Sequence, residues 1–187
     1  DVPVGQRTAF AEQLADFLWT LHAPAPAHAP INPVRGMALT APDGPDARAR
    51  ARIAREKESA ALLHRWETWS RADEFDGVDV WLHGDLHPAN LIVAASGQLS
   101  AVIDWGDLTA GDPACDLATV WLTFDAAGRE VFVDRLSQGG ATDEATWQRA
   151  KAWALHLALI LSQECEAGTS LQAVGARALG VLIGETP

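Results

Sequence analysis

Apolar residues return every three or four positions near the start of the chain. Phe10, Leu14, Phe17, Leu18 and Leu21 fall on one side of a 3.6-residue repeat, which predicts a helix from Arg7 to His22. Between Ala23 and Pro45 the period is lost among prolines, with Gly36 and Gly44, and this stretch is expected to be a surface connector. After Asp46, a residue type that caps helices, Ile53, Leu62, Leu63, Trp66 and Trp69 predict a second helix running to about Arg71, with Arg52 and Glu56 as an i,i+4 pair. The period then shortens to two. Val78, Val80 and Leu82 predict a short strand leading into His83, and two apolar runs, 91–93 and 99–103, joined at Ser96-Gly97 have the pattern of a β-hairpin. Asp112 followed by Pro113 is a helix start, and helical spacing then fills 114–126, 129–136, about 143–166 and 171–183.

The expected architecture is therefore mainly α with one small β-hairpin, a single helical domain over 1–187 with a connector at 23–45. A hydrophobic fraction of 48%, including eight Trp, is enough for a packed core, so the chain is expected to fold rather than remain disordered. The Trp residues at 66, 69, 121, 147 and 153 lie at helical spacing and are expected in that core. The formal charge of −11 leaves only 14 scattered Lys and Arg, which argues against a nucleic-acid partner and would tolerate a cationic small molecule. Cys115 and Cys165 lack metal or redox spacing and read as small buried hydrophobes. The longest apolar run, 152–161, is interrupted by His156 and falls short of a bilayer span, so no membrane partner and a cytoplasmic location are expected.

Two polar clusters flank the hairpin: His83-Gly84-Asp85-Leu86-His87-Pro88-Ala89-Asn90 before it and Asp104-Trp105-Gly106-Asp107 after it. A hairpin brings its ends together, so Asp85, Asn90 and Asp104 should converge although 19 residues separate the first from the last. Hard oxygen donors grouped in this way suit Mg²⁺, which takes a few protein oxygens together with phosphate oxygens. Phosphoryl transfer needs such a metal and a carboxylate to orient the attacking hydroxyl. The same Asp and Asn residues beside Gly and Pro could also be simple turn formers, a reading only site geometry distinguishes.

The segment WLHGDLHPANLIV followed by AVIDWGDLTAGDPACDLATVW resembles the catalytic-loop and metal-loop signature of the aminoglycoside phosphotransferase family, itself similar to the paired loops of protein kinases. Upstream NPVRGMAL and downstream ATWQRAKAWALHLALI extend the resemblance over most of the chain. It implies a protein-kinase-like fold of which this chain is the C-terminal, catalytic lobe, with 83–107 as catalytic loop, hairpin and metal loop. It implies an enzyme that moves a phosphoryl group from ATP or GTP, with Mg²⁺, to a hydroxyl of a small molecule, an aminoglycoside-like compound among the options. Asp85 matches the catalytic base, Asn90 a metal ligand and Asp104 the principal Mg²⁺ ligand. His87 falls where a phosphate contact or a loop support is expected, and His83 where the loop is organised from below. Asp107 could add to the metal or substrate site or only solvate a turn, and Asp116 resembles the family aspartate that anchors the backbone of the catalytic loop.

The resemblance also implies an N-terminal lobe with a glycine-containing phosphate loop and a strand Lys, and neither pattern is visible in these residues. The opening residue, Asp1, is not Met, which favours a clipped or excerpted enzyme whose N-terminal lobe is its missing partner; residues 1–187 alone are then expected to be inactive. Two other functions stay open: a single-lobe or degenerate binding module without catalysis, and a two-metal phosphoesterase, for which the later chain offers too few ligands. If the acceptor is a polyamine-like sugar, Glu164 and Glu166 near the break at Gly168 are the expected contacts for its ammonium groups.

Overall fold

The computed structural model describes residues 2–140 and 142–184. The first apolar stripe begins as a 3₁₀ turn, Val4–Phe10, and becomes α1, Ala11–Leu21, which buries Phe10, Leu14 and Leu18. The expected second helix is two: α2, Asp46–Ile53, and α3, Ser59–Trp69. No large apolar residue lies between Ile53 and Leu62, so nothing holds the intervening turn against the core. Asp46 does not cap α2 with its side chain. Its carboxylate accepts from Trp66 Nε1 at 2.7 Å and Arg50 Nε at 2.9 Å, and so ties the two helices together. Nor does Arg52 pair with Glu56: Arg52 reaches Glu164, while Glu56 accepts from Gln163.

Strand β1, Val80–Leu82, pairs antiparallel with β4, Thr109–Gly111, a partner too short for its pattern to announce itself. The hairpin forms as β2, Leu91–Val93, and β3, Leu99–Val102, with Gly97 at φ 85° turning the chain where a side chain would be strained. The connector is more than a surface link. Trp81 donates its backbone N–H to Ala23 O, and Ala25 donates to Asp79 O, so the connector's start lines the free edge of β1.

Five helices complete the fold: α4, Ala114–Leu117; α5, Thr119–Thr123; α6, Ala126–Ser137; α7, Glu144–Glu164; and α8, Ser170–Gly184. The expected continuous helix over 114–126 is interrupted at Ala118 and ends at Thr123, because Asp125 starts α6 by accepting from Gly128 N at 3.0 Å. Asp143 begins α7 in the same way through Thr146 N. Helix α7 lies at the centre and buries Trp153, Leu155, Leu157 and Leu159 against a core that also contains Trp66, Trp69 and Phe132. Cys115 is buried, as expected, whereas Cys165 is only partly covered. No helix among the described residues is long and apolar enough to cross a membrane.

Inside this core His156 lies between the rings of Trp66 and Trp153, with 2% of its surface exposed. Burial, reinforced by the charges of Arg52, Arg35 and Arg48, pushes its imidazole down to about 3 from 6.5. In the unfolded chain this ring takes up a proton near 6.5. Acid between those two values therefore favours unfolding, by up to about 1.4 kcal/mol per pH unit. Replacing His156 by Leu is expected to flatten urea-unfolding free energies over that window, and an unchanged slope would show that the ring is not buried neutral.

Candidate active site

Strand β1 delivers His83 and Gly84 into the first polar loop. Gly84 sits at φ 84°, and a Cβ there would strike the carbonyl oxygen of Asp107, so the loop before the hairpin and the loop after it meet backbone to backbone. Fully buried Asp116 of α4 holds the first loop from below: its carboxylate accepts from His83 N at 2.7 Å and Gly84 N at 2.9 Å. The buried ring of His83 links both loops, with Nε2 2.9 Å from Ile103 O and Nδ1 accepting from Asp85 N at 3.3 Å. The carbonyl contact requires the proton on Nε2, which leaves Nδ1 as the acceptor. Trp105 packs beside this ring at 4.7 Å.

A 3₁₀ turn, Pro88–Asn90, ends the first loop. Asn90 Nδ2 donates to Asp85 O at 2.9 Å, and Asn90 O accepts from Ile103 N at 3.0 Å. This second bond places Asp104, the next residue, beside Asn90. Asp104 is exposed and holds a left-handed conformation, φ 66° and ψ 65°, unique among the described residues other than glycine. Such a conformation costs an L-residue on the order of 1–3 kcal/mol and is kept where surrounding structure imposes it.

Asp85 is half-buried. His87 Nε2 lies 3.4 Å from its Oδ2 and Arg35 Nη2 3.5 Å from its Oδ1. The hydrogen bond from His87, with the charge of Arg35, holds the Asp85 carboxyl below its ordinary range against burial that pushes it up. It is therefore ionised at neutral pH. Asp107 accepts from Asn32 Nδ2 at 3.0 Å and has Arg35 Nε 3.3 Å away.

The seven loop-associated residues nominated from sequence, 83, 85, 87, 90, 104, 107 and 116, are thus brought together around two interlocked loops. Glu164 and Glu166 are not among them. Glu164 is exposed at the end of α7 and paired with Arg52 at 2.5 Å, while Glu166 is exposed and offers its carbonyl to Thr169. Sequence reasoning passed over Asn32, Arg35 and His22. Asn32 and Arg35 lie in the NPVRGMAL segment that shares the resemblance but had no role attached, and His22 carries no signal of its own, since isolated polar residues have no period.

The donor set suits Mg²⁺. Asn90 commits its Nδ2 to a backbone carbonyl, which leaves Oδ1 as the free atom, and the neighbouring Asp104 carboxylate is exposed. No group of three or more His, Cys, Asp or Glu residues positioned to hold a metal exists among the described residues. A site of one amide and one carboxylate, completed by phosphate oxygens, matches how Mg²⁺ is ordinarily bound.

Interlocked loops of this kind on a mainly helical body define a kinase-like phosphotransferase fold. A family model described as the phosphotransferase enzyme family (APH) matches residues 3–153, and the chain belongs to that family. It is 32% identical over 72 residues to a thiamine kinase of Shigella boydii, a match covering 38% of this chain and 26% of that protein. It is 35% identical over 74 residues to the viomycin phosphotransferase of Streptomyces vinaceus, covering 38% and 25%. The structure of a macrolide 2′-phosphotransferase type I superposes with a TM-score of 0.60 at 24% identity, over 93% of this chain and 58% of the other, and so shows the shared fold. The matches to the two curated relatives cover about a quarter of the length of each.

Proposed function

We propose that the chain is the larger, catalytic lobe of a kinase that phosphorylates a hydroxyl of a small molecule, using ATP or GTP with Mg²⁺ in the cytoplasm. The observation that carries this reading is the backbone bond from Ile103 N to Asn90 O, together with the bond from Asn90 Nδ2 to Asp85 O. They tie the backbones that carry Asp85, Asn90 and Asp104 to one another, which supports a shared site for one carboxylate and two hard oxygen donors.

Asp85 would receive the acceptor hydroxyl, orient it and take its proton. A carboxylate held below its usual pKa is a weak base, so its main contribution is alignment, with the proton accepted late as the oxygen bonds to phosphorus. Asn90 and Asp104 would hold Mg²⁺, which when bound neutralises charge on the phosphate oxygens. His87 lies where it can donate to the transferred group while keeping Asp85 in place. Asp116 and His83 fix the loop that carries Asp85. The phosphate loop and Lys that grip the donor would come from an N-terminal lobe, so residues 1–187 alone should not turn over.

Asp104→Ala in the complete enzyme is expected to weaken Mg²⁺-dependent nucleotide binding at least tenfold, measured by calorimetry with and without the metal. An unchanged metal dependence would sink the ligand assignment. Absence of any nucleotide binding by the wild-type protein would favour the binding-module reading instead.

A further inference from the structure

His22 ends α1, its backbone N–H donating to Leu18 O, and its side chain is 12% exposed. Its Nε2 lies 3.4 Å from Asp116 Oδ2. That carboxylate is fully buried, and its two oxygens already serve the amides of His83 and Gly84. Among the described residues His22 is the single cation-capable side chain paired with it. A buried carboxylate held by two amides alone retains unmet demand for a donor, and would relieve it by shifting toward water. That shift loosens the two amides that it orients.

The consequence reaches the base directly. Gly84 has no freedom to move toward Asp107, because their backbones are already in contact. Asp85 follows immediately, with its own N–H bonded to His83 Nδ1. A shift of the His83 and Gly84 amides therefore becomes a shift of the Asp85 carboxylate. His22 is placed for this task by the connector: Ala23 and Ala25 hydrogen-bond along the free edge of β1, so α1's end is fixed to the strand that enters the loop.

We infer that His22 is a positioning residue for the catalytic loop, holding Asp116 in the orientation that presents Asp85. Its importance for turnover rests on the reading of Asp85 as base, but its effect on the loop does not. The test is residue-resolved amide hydrogen exchange on the 187-residue chain, in wild type, His22→Phe and His22→Gln. Phe keeps the ring's bulk and removes the donor, whereas Gln restores an N–H.

The expected result is at least tenfold faster exchange at His83 and Gly84 in His22→Phe, with core amides of α7 such as Leu155 changed less than twofold, and partial recovery of protection in His22→Gln. Wild-type protection at His83 and Gly84 in His22→Phe would overturn the proposal. So would equal acceleration at every amide, which marks a general loss of stability. If His22→Phe does not fold, His22→Gln and His22→Leu decide. Faster exchange at His83 and Gly84 in His22→Leu than in His22→Gln supports the proposal, and identical exchange at these amides in both variants and wild type ends it. A failure of phosphotransfer assays would leave this exchange result standing, so the two claims fail separately.

Discussion

Asp85→Asn in the complete enzyme is expected to lower turnover by about 10²–10⁴-fold, the usual range for removing a positioned proton acceptor, while nucleotide affinity stays within a factor of two. The substitution is nearly isosteric. The bond from Asn90 is to the backbone oxygen of residue 85, so the loop's closure does not depend on the side chain. What is lost is the negative charge that His87 and Arg35 now hold ionised and half-buried. Parallel measurement of turnover and nucleotide binding checks the split. Turnover near that of wild type would remove Asp85 from the role of base, and loss of nucleotide binding would assign it to the metal instead.

Arg149→Met is expected to destabilise the fold by about 3–5 kcal/mol, the usual cost of leaving half of a buried ion pair behind. Arg149 Nε lies 2.6 Å from Asp112 Oδ2, and both side chains are less than a tenth exposed. Arg149 also donates to Asp73 O and Thr146 Oγ1, so it ties the chain before β1 to α7. Asp112 Oδ1 receives the backbone N–H of Ala114 at the start of α4, the helix that carries Asp116. Removing the guanidinium should therefore loosen the catalytic loop as well as lower stability. A second substitution, Asp112→Asn, is expected to recover much of the loss by discharging the orphaned group. Urea unfolding of the single and double variants measures both effects, and a single-variant loss under about 1 kcal/mol would contradict the pairing.

The hairpin and the convergence of Asp85, Asn90 and Asp104 were readable in the sequence because both rest on local rules. Apolar runs separated by Ser96-Gly97 can close in few ways, and closing them brings the flanking polar clusters together. Asp143 was legible as a helix start, whereas the helix expected over 114–126 ran through Asp125, which in the fold caps α6 instead. What escaped were contacts between residues distant in sequence. Arg35 and Asn32 lie in a connector without periodicity, and only its folded bonds along β4, from Ala110 N to Pro30 O and from Asp112 N to Gly36 O, show that it returns to the loops. Asp46 has the chemistry of a cap, but a tertiary partner, Trp66, claims its carboxylate first. Glu164 has the charge to meet a cationic acceptor, yet Arg52, 112 residues earlier, is already there. His22 carries no spacing signal at all, since its partner Asp116 is 94 residues away.

Of the two carboxylates nominated as ammonium contacts, Glu164 is already paired with Arg52, which weakens the expectation of an acceptor held through several ammonium groups. Arg35 weakens it further. Its guanidinium is close to both Asp85 and Asp107, and it would oppose a second positive charge beside the attacking hydroxyl.

The two interlocked loops are proposed to transfer a phosphoryl group to a hydroxyl. The most direct measurement is mass spectrometry of a panel of neutral and amine-bearing hydroxyl compounds incubated with the complete enzyme, ATP or GTP, and Mg²⁺ or a chelator. The account predicts that at least one compound gains a single phosphoryl group as a stable ester, in stoichiometric balance with nucleoside diphosphate, only when Mg²⁺ is present. Nucleotide consumed to diphosphate and free phosphate with no ester across the panel, or ester formation that is indifferent to Mg²⁺, would contradict it.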